Sequence, residues 1–118
     1  MYGKIFKALR QINDMSLKNF SSWIGCSTGY LAQIEKGEQK PSDGFILIAL
    51  ESLKLSEEFF YNLMVYSELV EEDLKRNSNL TDENRALFLM QEIKYVILRE
   101  QHKNNVQAGF IKSRKILM

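Results

Sequence analysis

Few side chains in this sequence are equipped for covalent or acid–base chemistry. The one histidine, His102, stands beside Lys103 in a polar stretch, and no cysteine, histidine or acidic cluster has metal-ligand spacing. The one cysteine, Cys26, has no intramolecular disulfide partner, which fits a reducing compartment. Glu57-Glu58 and Glu71-Glu72-Asp73 read as a helix start and a solvated face, not as an acid/base pair. No glycine-rich phosphate loop follows a strand pattern. The expectation is a protein that is not an enzyme and holds no metal or cofactor. Recognition is a different matter. Residues 16–42, SLKNFSSWIGCSTGYLAQIEKGEQKPS, gather hydroxyls, amides and lysines around a tight turn.

That block must be held by helices. Leu17, Phe20 and Ile24 make one apolar stripe behind Ser16, a good N-cap. Gly25 suits the left-handed backbone that ends a short helix. Ser27 caps the next helix, with Leu31 and Ile34 inward and Gly37 stopping it. Helices crossing steeply over so short a turn must approach closely. Ser21, four positions before Gly25, supplies the small side chain this needs. The outward face of the second helix in the pair is left free to enter a groove.

Around the block, Ile5, Leu9 and Ile12 predict a first helix over residues 4–13. Pro41 marks a turn, and Ser42 caps a fourth helix to about Leu53. Ser56-Glu57-Glu58 opens a fifth, running to about Arg76, and Thr81 caps a sixth, running to about Lys103. The longest uninterrupted apolar run, residues 45–50, is far shorter than the roughly 20 residues a bilayer requires. No membrane contact is expected, and a cytoplasmic location is. Net charge is +1 overall, yet residues 1–55 carry +2, residues 56–101 carry −5 and residues 102–118 carry +4. Polyanion contact should therefore avoid the acidic middle.

Over about residues 5–60 the chain resembles the phage-repressor and Cro-type helix-turn-helix regulators, also called the XRE family. The resemblance is carried by Gly25-Cys26-Ser27-Thr28-Gly29-Tyr30-Leu31-Ala32-Gln33-Ile34-Glu35-Lys36-Gly37, completed by Lys40-Pro41-Ser42. It implies an all-α fold: a lambda-repressor-like five-helix DNA-binding domain over residues 1–66, with an additional C-terminal helix in residues 67–118. It also assigns roles. Thr28, Gly29 and Gln33 fall where such proteins face base edges of double-stranded DNA, and an amide such as Gln33 pairs in bidentate fashion with adenine. Lys18, Asn19, Ser27, Lys36, Lys40 and Ser42 fall at the phosphate-contacting edges. Arg10 and Glu35 match a structural salt bridge between the first helix and the recognition helix. Cys26 stands where valine is common, implying a small buried role. Leu17 replaces the usual glutamine, weakening one phosphate contact, Ser21 replaces alanine, and Trp23 is a bulky packing or partner residue.

The sixth helix is more apolar than one stripe requires. Leu89, Met90, Ile93, Val96 and Ile97 are accordingly expected at a homodimer interface. The basic tail, with Lys112, Arg114 and Lys115, could track phosphates as an arm or simply be solvated. The reading is a dimeric repressor on an inverted-repeat operator. Its rival is an antitoxin or antirepressor whose acidic half, residues 57–100, binds a partner protein.

Overall fold

Nearly every helix begins where the chain offers a side-chain cap. The computed structural model describes residues 1–117, with side chains through residue 104. Among these it is all-α: α1 (Tyr2–Ile12), α2 (Leu17–Ile24), α3 (Thr28–Glu35), α4 (Asp43–Leu53), α5 (Glu57–Lys75) and α6 (Asp82–Leu117). The hydroxyls of Ser16, Ser27, Ser42 and Ser56 accept from the amides of Asn19, Tyr30, Phe45 and Phe59 at 3.1–3.2 Å. Thr81 does the same for Asn84 at 3.1 Å. Each cap is worth about 1 kcal/mol. α2 ends at Gly25, whose φ of 83° is cheap only for glycine. α4 ends in the same left-handed region at Lys54, φ 56°, with no glycine to announce it.

The apolar faces meet in one core. Ile5, Phe6 and Leu9 of α1 lie at its centre, against Phe20 and Ile24 of α2, Leu31 and Ile34 of α3, and Phe60 and Leu63 of α5. α5 runs to Lys75, close to its expected end near Arg76. Two departures from the sequence expectations concern α6. α6 continues past Lys103 to Leu117. The side chains of Lys112, Arg114 and Lys115 lie outside the described residues.

The second departure concerns the dimer residues. Leu89, Ile93 and Ile97 are only 3 %, 1 % and 0 % exposed, inside the same core. Met90 and Val96 are half-buried against it. α6 packs on both α1 and α5, and these two helices take the row that had been expected at an interface. Among the described residues, the large apolar side chains left outward on α6 are Leu87, Phe88, Tyr95 and Leu98. Among the described residues no helix is long and apolar enough to cross a membrane.

Candidate nucleic-acid interface

α3 is a two-turn helix, too short to be stable by itself. Its position is set by contacts on its rear and side. The closest is with α1 at Gly3. A Cβ there would stand 2.3 Å from the carbonyl oxygen of Ile34 and 2.9 Å from that of Glu35, so α1 sits directly on the last turn of α3. Two turns further along α1 lies Arg10. Its Nε donates to Glu35 Oε2 at 2.8 Å and its Nη2 to Glu35 Oε1 at 3.0 Å, the two-pronged geometry that guanidinium and carboxylate share. Arg10 Nη1 also donates to the carbonyl of Met15 at 3.1 Å, fixing the loop between α1 and α2. The Glu35 side chain is 7 % exposed and that of Arg10 16 %, so the pair is substantially desolvated. Both carboxylate oxygens of Glu35 are satisfied, which removes a negative charge from the neighbourhood of α3's outer face.

On the α2 side, Ser21 is buried and its hydroxyl donates to the Lys18 carbonyl at 2.9 Å. A serine hydroxyl has one hydrogen. The 3.1 Å contact between Ser21 Oγ and Thr28 Oγ1 therefore has Thr28 as donor. On the α4 side, the Tyr30 ring meets Phe45 edge-on at 5.1 Å between centroids. The Ser42 amide donates to the Tyr30 hydroxyl at 3.2 Å. Pro41, between them in the turn, is buried.

The front of α3 is the reverse. Thr28, Gly29, Gln33 and Lys36 are all exposed. Gly29, Gln33 and Lys36 recur at helical spacing along one row, with Thr28 at the edge nearest α2. The Gln33 side chain has no hydrogen-bond partner among the described residues, while its backbone carbonyl accepts from the amides of Glu38 and Gln39 at 2.9 and 3.3 Å. Gly29 has nothing within 4 Å of where a Cβ would sit. Internal packing thus does not require glycine there, although glycine costs an α-helix about 1 kcal/mol relative to alanine.

The surrounding groups divide. Lys18 and Asn19 on α2, and Ser27, Lys36, Lys40 and Ser42 flanking α3 in the chain, are exposed. Ser27 and Ser42 hydroxyls already accept a capping amide, so each retains only its hydrogen for an outside oxygen. The Ser42 amide is committed to Tyr30. Lys40 Nζ lies 5.9 Å from the Tyr2 ring centroid, an orienting contact that leaves its charge in water. Leu17 is half-buried against the core and provides no polar group. Trp23 is 42 % exposed, edge-on to Phe20. Cys26 is half-buried, and burial pushes its thiol up from the ordinary value, so it stays protonated.

The caps are marked by residue type, and the front row and the Arg10–Glu35 pair by the family resemblance. Neither marks Gly3 or gives Tyr30 a role. A glycine inside a helical pattern was the available signal for Gly3, since such a residue needs a reason. Comparison with family models, curated proteins and solved structures finds no match to this chain.

Proposed function

We propose that this protein is a sequence-specific DNA-binding transcriptional regulator of the phage-repressor/Cro helix-turn-helix type, with α3 as the helix that enters the major groove. In this role Gln33 reads a base edge, Thr28 and Gly29 allow close approach, and Lys18, Asn19, Ser27, Lys36, Lys40 and Ser42 meet phosphates. One observation carries the reading. Every side of α3 that faces the molecule is tied down, by Gly3, Arg10, Ser21 and Tyr30, while its front row is exposed and polar. A helix fixed from behind and exposed in front is pre-organised for an external partner.

One such helix covers a half-site only. Two copies related by a two-fold axis would set two of them about 34 Å apart, one turn of B-DNA. The surface for that contact is the outward α6 row of Leu87, Phe88, Tyr95 and Leu98, in place of the buried Leu89, Ile93 and Ile97. Occupancy of a promoter by the pair would then block transcription.

The test is a gel shift with the DNA upstream of the coding region at low and high salt. A specific regulator gives a tight complex that weakens steeply as salt rises, because phosphate contacts release counterions. Absence of any shift, together with co-purification of another protein, supports the second reading, an antitoxin or antirepressor. The observation favouring that reading is the exposed apolar row Tyr61, Val65 and Leu69 on α5.

A further inference from the structure

The two exposed apolar rows of the second half differ in their charged borders. The α6 row is edged by both signs, with Glu92, Lys94 and Arg99. On α5, Tyr61, Val65 and Leu69 succeed one another at four-residue steps and are 42 %, 58 % and 61 % exposed. Beside them along the helix stand the exposed carboxylates Glu58, Glu68 and Glu72, with the neutral Asn62 and Tyr66 between. α5 as a whole carries six carboxylates and one lysine. Lys4 bonds Glu71 at 2.5 Å, and Lys75 lies 3.8 Å from both Glu71 and Glu72. Among the described residues, no cation lies within ion-pair distance of Glu57, Glu58 or Glu68. Met1, Val65 and Leu69 line a shallow depression of about 460 Å³, walled by Glu68, Glu71 and Glu72. Partial desolvation, then Tyr2 and the carboxylates of Asp43 and Glu57, push the Tyr61 hydroxyl up from its ordinary value.

Such a face rejects its own copy, because like carboxylates would meet. It fits an apolar segment bordered by lysine and arginine. This chain contains one. After residue 104 every charged residue is basic, and the cluster Lys112, Arg114 and Lys115 is flanked by Phe110 and Ile111 on one side and Ile116 and Leu117 on the other. Within one copy that segment heads away from the α5 face. Arg85 bonds the Leu74 carbonyl, the Tyr66 hydroxyl donates to Glu92, and Phe59 lies beside Val96 and Arg99, so α6 runs antiparallel to α5 and leaves past the start of α5. A second molecule is the remaining source.

We propose that the acidic-bordered Tyr61–Val65–Leu69 face of α5 takes the basic C-terminal segment, residues 105–118, of a second copy, reciprocally across a two-fold pair. The inference rests on the two-copy reading above and gives that pair a charge-dependent contact separate from the α6 row.

A charge swap tests it in the full chain. The first variant carries Glu58→Lys and Glu68→Lys, the second Lys112→Glu and Arg114→Glu, and a third carries all four changes. Helical circular dichroism and melting temperature establish that each is folded, and sedimentation measures association. Each single swap should weaken pairing about tenfold, and the combined variant should return to within about threefold of wild type. Rising salt should weaken wild-type pairing as well. The proposal is overturned if neither swap changes association, if the two losses add without recovery, or if the tail swap alters only DNA retention. An intact pair insensitive to the swaps removes this inference alone; a wild-type chain that stays monomeric removes the two-copy reading with it.

Discussion

The front of α3 and the outward sides of α5 and α6 are both exposed helix surfaces, yet they are built on opposite lines. α3 displays Gly29, Gln33 and Lys36, small or polar groups that water solvates well. α5 and α6 display Val65, Leu69, Phe88 and Tyr95, which water solvates poorly. α3 has eight residues and is held by its neighbours, whereas α5 has nineteen and carries its own charge pattern. The contrast separates two kinds of recognition. A polar edge on a rigidly seated short helix suits a hydrated, charged groove; broad apolar rows suit another protein surface.

The seating of α3 is the first part of that contrast to break. Arg10→Ala leaves the Glu35 carboxylate desolvated and unpaired, and should cost about 3–5 kcal/mol in urea unfolding. Replacing both residues, Arg10→Met with Glu35→Leu, should stay within about 1 kcal/mol of wild type in stability. A loss under about 1 kcal/mol for Arg10→Ala would mean that the pair does not seat α3. Gly3→Ala comes next. Its new methyl meets backbone oxygens that cannot rotate aside, so about 2–3 kcal/mol should be lost, read as a lower melting temperature.

The front row is broken without loss of stability. Gln33→Ala should weaken binding to the preferred site by about 1–3 kcal/mol and relax preference at one base pair, measured by competition shifts. Equal loss on every sequence would remove Gln33 as a reader. Gly29→Ala sharpens the point, because its two effects have opposite sign. The free protein should gain about 1 kcal/mol of stability, while DNA binding falls as the added methyl obstructs approach. Unchanged binding would leave the glycine without a purpose at the interface.

The smallest effect is expected at the exposed Lys4–Glu71 contact. The hydrogen bond from Lys4 holds the Glu71 carboxyl below its ordinary value of 4.5. A depressed folded-state value adds stability above the unfolded one and loses it as pH falls through the folded one. Lys4→Met should therefore cost a few tenths of a kcal/mol near neutrality, and the difference from wild type should vanish in acid. A difference that persists at low pH would point to packing instead.

How much of this was legible in the sequence depended on how local the cause was. Ser16, Ser27, Ser42, Ser56 and Thr81 could be read as caps because a short hydroxyl ahead of an apolar period has one local use. Gly25 was legible for the same reason. α6 was not, because a helix apolar on several sides fits more than one partner, and only the positions of α1 and α5 decide that Leu89, Ile93 and Ile97 turn inward. Gly3 is not legible locally because its reason lies thirty-one residues away, at the carbonyl of Ile34. Lys54 ends α4 in a conformation that no residue-type rule assigns to lysine.

The hydrogen of Thr28 has one further implication. With its proton spent on Ser21, the side chain shows the outside world a lone pair and a methyl group. Guanine presents acceptors alone along its major-groove edge, whereas adenine and cytosine hold out amino hydrogens and thymine a methyl. In a groove, Thr28 would thus act by exclusion, tolerating three bases opposite it and rejecting the fourth.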